Sequence, residues 1–231
     1  MFKQTTHKSG WGYFLDLIVI IIGISISLYA GKRLEDRKEE QAQLRILENL
    51  QQALANDTVK LSVERDFLQR CSELFQGIQT GDVVANPDSA ATHLGMMLVY
   101  TTSEVNTTTY EEMKFSSGFG LIENKELLQQ IIDHYQSSLL LLTEYNSIDK
   151  HFILNRMIPF FENNFTLYSS PTLPEVGSRD EIEKLYNNPQ FKNLLQTNLI
   201  FKINTVAILN AYIASADSLI TAIQKEIKER S

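Results

Sequence analysis

One stretch constrains this chain more than any other. From Leu17 to Leu28 it reads Leu-Ile-Val-Ile-Ile-Ile-Gly-Ile-Ser-Ile-Ser-Leu, and no other segment is so apolar with so few breaks. Counted from Trp11 to Ala30 the stretch holds about 20 residues, roughly 30 Å as a helix, which matches a bilayer core. Trp11 and Tyr13 stand at one end and Tyr29 at the other, where amphipathic rings favour the membrane interface. The stretch reads as a single membrane span at 11–31. Two other readings compete. The uninterrupted apolar part is only about 12 residues, a length that also suits a buried core helix. A cleaved signal peptide needs small residues before the cleavage point. Ala30 fits that rule but Leu28 does not, and cleavage after Ser27 would cut deep into the apolar run.

Asp16 lies inside the span, near one end. A carboxylate at the bilayer centre costs about 2.5–3.5 kcal/mol, and less towards the headgroups. The Leu, Ile and Val residues after it return about 0.3–0.6 kcal/mol each, enough to insert the helix. Spacing adds a sharper reading. Asp16, Gly23, Ser27 and Gly31 fall on one helical face, and small residues four apart let two helices approach closely. That face is a candidate helix–helix seam in the membrane.

The chain beyond the span is long enough to bury a core of its own. The sequence divides into a short polar tail (1–10), the span (11–31), a charged stalk helix (32–43) and a helical bundle domain (44–231). A net charge of −7 argues against nucleic acid as a partner. The lone Cys71 excludes an intramolecular disulfide and sits in a helical pattern, where a small buried hydrophobe is expected. Lys32, Arg33, Arg37 and Lys38 outnumber Lys3 and Lys8, so the basic residues alone would hold the domain in the cytoplasm. Glu35, Asp36, Glu39 and Glu40 offset that cluster and leave orientation nearly balanced.

Along the domain the apolar period is helical. Leu44, Leu47, Leu50 or Gln51, Leu54, Leu61, Leu68, Cys71, Phe75 and Ile78 recur at helical steps until Gly77, Gly81 and Asn86-Pro87 end the run. A short helix is expected over 88–99, then a polar loop from Thr101 to Thr108. Thr109 and Glu112 have capping-box spacing. Gly118 and Gly120 imply a turn with positive φ or a close backbone approach. Asn124 should cap a long helix through Phe152 and Met157, which Pro159 would kink or end. Ser178 and Glu181 have capping-box spacing for another short helix. Asn188-Pro189 opens the last helix, whose seam is a heptad: Leu199, Val206, Ile213, Ile220 and Ile227, interleaved with Leu209, Ala216 and Ile223. Lys202 is the exception in that seam. Three long helices and a few short ones, with no strand pattern, predict an all-α elongated antiparallel bundle.

Two blocks of residues resemble the bacterial single-span membrane proteins grouped as domain-of-unknown-function family 6090. The first is Asp16, Gly23-Ile24-Ser25-Ile26 and Glu35-Asp36-Arg37-Lys38: an acid opening an Ile-rich span, then a charged helix. Family members more often have Glu at the acidic position, and an Asn and Trp where this chain has Lys32-Arg33-Leu34. The second, more specific block is Thr109-Tyr110-Glu111-Glu112, Ser117-Gly118 and Leu121-Ile122-Glu123-Asn124-Lys125-Glu126-Leu127, with Ile132 and Tyr135 beyond. The resemblance covers nearly the whole chain. It implies a membrane-anchored helical domain with no known activity, held in the bacterial inner membrane with the domain on the periplasmic side.

Signatures of chemistry are missing. His7, His93, His134 and His151 stand in no metal-binding spacing, and each is expected to be a surface or satisfied bundle histidine. No phosphate-binding glycine loop or serine elbow occurs. The expectation is therefore a noncatalytic interaction, scaffold or sensor protein without a cofactor. Its partners would be the lipid bilayer, an unidentified protein, and a second copy through the membrane helix or the C-terminal heptad. The alternative is a small-ligand or enzymatic module at the turn Glu112, Ser117, Gly118, Gly120 and Asn124, and a deep pocket lined by Glu111, Glu123 and His134 would favour it.

Overall fold

The computed structural model describes residues 10–83, 87–116, 118–164 and 179–230. All regular structure among them is helical. The first helix, α1 (Gly10–Thr80), carries the apolar run, the charged stalk and the first amphipathic segment without a break. Nothing in 10–80 stops a helix, since Gly23 and Gly31 stand singly and Pro is absent. Gly81 ends it at φ +83°, and the Val83 N–H turns back to the Gly77 carbonyl at 3.0 Å. Then come α2 (Pro87–Met97), α3 (Thr108–Phe115) and the single turn α4 (Gly118–Leu121).

A third long course runs from 125 to 164. It comprises α5 (Lys125–Asp133), a π-turn (His134–Ser138), α6 (Leu139–Phe152), a second π-turn (Ile153–Met157) and α7 (Ile158–Asn164). Pro159 does not end this helix, which continues to Asn164. The second π-turn lies directly before it, and its wider winding lets the Ile158 N–H reach back to the Ile153 carbonyl. A π-turn changes which carbonyl each N–H meets, and so accommodates a residue that has no N–H to give. Next come α8 (Arg179–Asn187) and α9 (Pro189–Arg230), the latter opened by Asn188, whose side chain accepts from the N–H groups of Gln190 and Phe191.

Among the described residues the core has three large apolar clusters in series, and a small fourth of Ala90 and Ile182. Leu47, Leu50 and Leu54 of α1 lie with Ala216, Leu219 and Ile223 of α9, together with Tyr110, Ile131 and Tyr135. Leu61 and Leu68 lie with Leu142, Leu209 and Tyr212. Cys71, Phe75 and Ile78 lie with Phe152, Phe161, Phe191 and Leu195. Cys71 is thus the small buried hydrophobe its pattern implied, and burial pushes its thiol up to about 11, which keeps it protonated at neutral pH.

Both long helices bury heptads, and in α9 the expected Leu209, Ala216 and Ile223 are fully enclosed and Leu199 and Ile213 are buried, but the other expected row gives way to one a position round. Val206, Ile220 and Ile227 are only half-buried. The fully enclosed rows are Leu195, Lys202, Leu209, Ala216 and Ile223, and beside them Asn198, Thr205, Tyr212, Leu219 and Glu226. Apolar periodicity pointed to the greasier shoulder because half of the true seam is polar. In α1 the apolar row is Leu47, Leu54, Leu61, Leu68 and Phe75, and the second row is Gln43, Leu50, Asp57, Glu64, Cys71 and Ile78. Gln43, placed in the stalk by its sequence, is already buried.

From 19 to 41 every residue of α1 is exposed. Leu17, Val19, Ile20, Ile21, Ile22, Ile24, Ile26 and Leu28 are all more than half exposed. Two helices, α1 through its apolar run and α9, are long and apolar enough to cross a membrane. They differ in burial: the α1 run packs against nothing among the described residues, whereas α9 lies against α1 and α6.

Candidate functional site

The predicted turn divides into separate structural tasks. Gly118 is buried, and a Cβ there would stand 2.9 Å from the Met113 Cα, so the expected close backbone approach is present. The alternative of a positive φ is not: among the described glycines only Gly81 adopts one. Gly120 has open space around its Cα. Asn124 caps α5, accepting from the Leu127 N–H at 3.1 Å and donating its amide to Glu226 at 2.7 Å. The expected capping box at Thr109 and Glu112 does not form. The helix starts two residues earlier, with Thr107 as N-cap and Thr108 as first residue, whose N–H goes to the Asn106 side chain, and Glu112 is exposed. Ser117 and Ser178 lie outside the described residues.

Glu111, Glu123 and His134 do not converge on one pocket. Glu111 faces Lys114 at 3.7 Å and Glu123 pairs with Arg230 at 3.0 Å. The cleft beside Gly120 and Glu123 is completed by Asp36, Glu39, Gln43 and Arg230, with neither Glu111 nor His134 in it. His134 is buried elsewhere and is not the satisfied histidine expected. Its Nδ1 meets the Ser215 hydroxyl at 3.0 Å, while its Nε2 has no protein partner among the described residues. Burial holds its ring neutral, with the pKa down to about 4.

Of the candidate seam residues, Gly23, Ser27 and Gly31 are exposed on α1, and a Cβ at either glycine would meet nothing within 4 Å. Asp16 belongs to the helix, but its side chain lies outside the described residues. Arg33 stacks over the Tyr29 ring at 5.3 Å, one turn beyond the apolar run.

The chemistry the sequence hid is a polar layer in the middle of the core. Lys202 is 0% exposed and Asp149 1%. The ammonium donates to both Asp149 oxygens, at 2.9 and 2.6 Å, and to the Val99 carbonyl at 2.8 Å. Three donors meet three acceptors, so the charge is fully compensated. The Val99 carbonyl belongs to the non-helical segment 98–107, which several helices hold. Asn198 donates to the Met97 carbonyl at 2.9 Å. Thr101 donates to Asn146 at 3.1 Å and the Asn106 N–H to Asp57 at 2.9 Å. Ser103 donates to Glu64 at 2.6 Å, which engages its single hydroxyl proton. The anchored residues are Met97, at the end of α2, and Val99, Thr101 and Ser103 in the non-helical segment. Ser103 sits at φ +37°, a conformation that costs a non-glycine residue about 1–3 kcal/mol and persists where its surroundings enforce it.

A second buried polar group adjoins this layer. Asp57 of α1, His134 and Tyr135 of the first π-turn, and Tyr212 of α9 are all enclosed. His134 packs on Tyr212 with ring centroids 4.4 Å apart, and Tyr135 stacks on Tyr110 at 4.6 Å. Burial, with the Asp57 charge, pushes both phenols up, so they hold their protons. The available sequence clues to these residues were breaks in the heptads: Asp57 and Glu64 in α1, Lys202 in α9.

No family model, no curated protein and no solved structure matches the chain. The functional reading therefore rests on the geometry of the chain itself.

Proposed function

We propose that this chain is a single-pass membrane protein. Its α1 spans the bilayer, leaves it as a charged stalk and runs unbroken into an elongated antiparallel helical bundle. The bundle serves as a noncatalytic interaction, scaffold or sensor domain of the bacterial envelope. The observation that carries this reading is the contrast along α1: a bare apolar run, then a fully packed amphipathic helix, within one continuous element. A contiguous apolar surface of that size calls for a cover, and a run of this length matches a bilayer. Tyr29 and Arg33 supply an interfacial anchor where the stalk begins.

The apolar clusters support the antiparallel arrangement, because early α1 meets late α9 and late α1 meets early α9. The second apolar helix, α9, is read as bundle core because it buries Lys202 and packs along α1. The open face at Gly23, Ser27 and Gly31 fits a second copy of the chain in the membrane. Placement of the domain outside the cytoplasm, and membership of domain-of-unknown-function family 6090, rest on the two residue blocks at 16–38 and 109–135. Against a ligand-binding role for the turn stands the use of Gly118 in packing and of Asn124 in capping.

The test combines alkaline extraction with reporter fusions at Ser231. The chain should stay with the membrane at high pH, and a reporter active only outside the cytoplasm should be active. Release by alkali would contradict anchoring. A reporter active only in the cytoplasm would reverse the orientation and leave the anchor standing.

A further inference from the structure

Residues 99–107, between α2 and α3, form neither helix, turn nor bend. No main-chain N–H from 100 to 105, and no carbonyl from 100 to 106, has a protein partner among the described residues. The side chains hold the segment instead. Thr101 and Ser103 are buried and reach Asn146 of α6 and Glu64 of α1. Thr102 and Glu104, next to them in the chain, are exposed. Just before, the Met97 and Val99 carbonyls accept from Asn198 and Lys202 of α9. Three helices thus fix the segment in place and leave its own main-chain donors and acceptors unused. Buried or exposed, such groups need partners, and a row of them is a template for another chain.

A cleft of about 410 Å³ lies between this segment and α1, lined by residues 100–104 on one side and by Lys60, Leu61 and Glu64 on the other. Its volume falls within the range of roughly 300–1,000 Å³ of ligand sites. Lys60 stands there with Glu64 and Glu104, so no single sign of charge selects the ligand. What the cleft offers in series is main chain. Donors and acceptors that recur along an unbent chain are matched at the same repeat by a second extended main chain. A template already held rigid also lowers the ordering cost of binding. We propose that this cleft binds an extended peptide segment of a partner protein, whose main chain pairs with residues 100–102. Ser103, at φ +37°, twists the run as a bulge does and ends regular pairing there. The proposal gives the interaction domain its partner class and its site, and rests on that reading of the bundle.

The experiment pans a phage-displayed library of short linear peptides against the full chain in detergent. An enriched peptide, made synthetically, should slow hydrogen exchange at the amides of residues 100–102, which exchange freely in the unbound chain. Methylating alternate main-chain nitrogens of the peptide should weaken binding about tenfold for the set that faces the segment and little for the other set. Thr102→Cys carrying a bulky maleimide should block binding and leave thermal unfolding unchanged. The label goes to position 102 because Cys71 is buried. Three outcomes would overturn the proposal. One is no peptide enriched over a detergent-only control. Another is slow exchange at 100–102 in the unbound chain, which would mean those amides are already paired. The third is a peptide that binds the blocked chain equally well and leaves exchange at 100–102 unchanged; that result would keep an interaction domain and remove this site.

Discussion

Lys202 breaks the heptad of the last helix as a sequence and completes the core as a structure. Its three donors meet two oxygens of Asp149 and the carbonyl of Val99. Removing one partner strands the other charge in the interior, so Lys202→Met should destabilise the bundle by about 3–5 kcal/mol. Lys202→Met combined with Asp149→Leu should recover most of that loss, and urea unfolding of the three proteins reads the difference. His134 supplies a pH prediction. Its folded-state pKa is depressed to about 4 from the ordinary value of 6.5, so the stability it contributes is present above 6.5 and is lost as pH falls towards 4. The difference corresponds to about 3 kcal/mol. Asp57 works in the opposite direction, since burial raises its carboxyl and that contribution is lost as pH rises. Comparing the parent with His134→Gln between pH 7 and 4.5 isolates the histidine, and the variant should lose less stability on acidification. The sequence showed only the breaks in the heptads, not the pairings. A lysine or an aspartate in an apolar row reads as a flaw until its partner is known, and the partner of Lys202 lies 53 residues away.

At the scale of elements, period and punctuation carried most of the information. The helices at 44–78 and 189–230, the Asn124 cap and the Pro189 start follow from residue spacing and local chemistry. The shifted seam of α9 does not, because hydrophobic period finds the most apolar face rather than the most enclosed one. The π-turns leave no compositional mark, since one extra residue in a helical turn changes hydrogen-bond register and not residue type. The Gly118–Gly120 pair was legible as a corner but not as two different positions. Gly118→Ala should cost about 1–3 kcal/mol, because its Cβ would meet main-chain atoms of α3 that cannot swing aside. Gly120→Ala, with open space around it, should be neutral or stabilising by up to about 1 kcal/mol. Thermal unfolding of the two variants side by side would check both values, and equal effects would contradict the packing described for Gly118.

The whole molecule turns on α1, which is 71 residues long and about 107 Å from end to end at helical rise. Its apolar run was the most legible feature of the sequence, because length and composition alone make it long and apolar enough to cross a membrane. The charges around it left orientation nearly balanced, and nothing in the helix geometry changes that balance. The most direct test of the anchored bundle is an accessibility scan of α1 in lipid vesicles, with spin labels placed singly from residue 17 to residue 43. If the run spans the bilayer, labels near Ile22 will meet dissolved oxygen but not a water-soluble nickel complex. The nickel complex will reach labels from Lys32 onward, and a label at Gln43 will be immobilised by the bundle. Nickel access at Ile22, or immobilisation there by protein contacts, would show that the run is not a span and would contradict the anchored bundle.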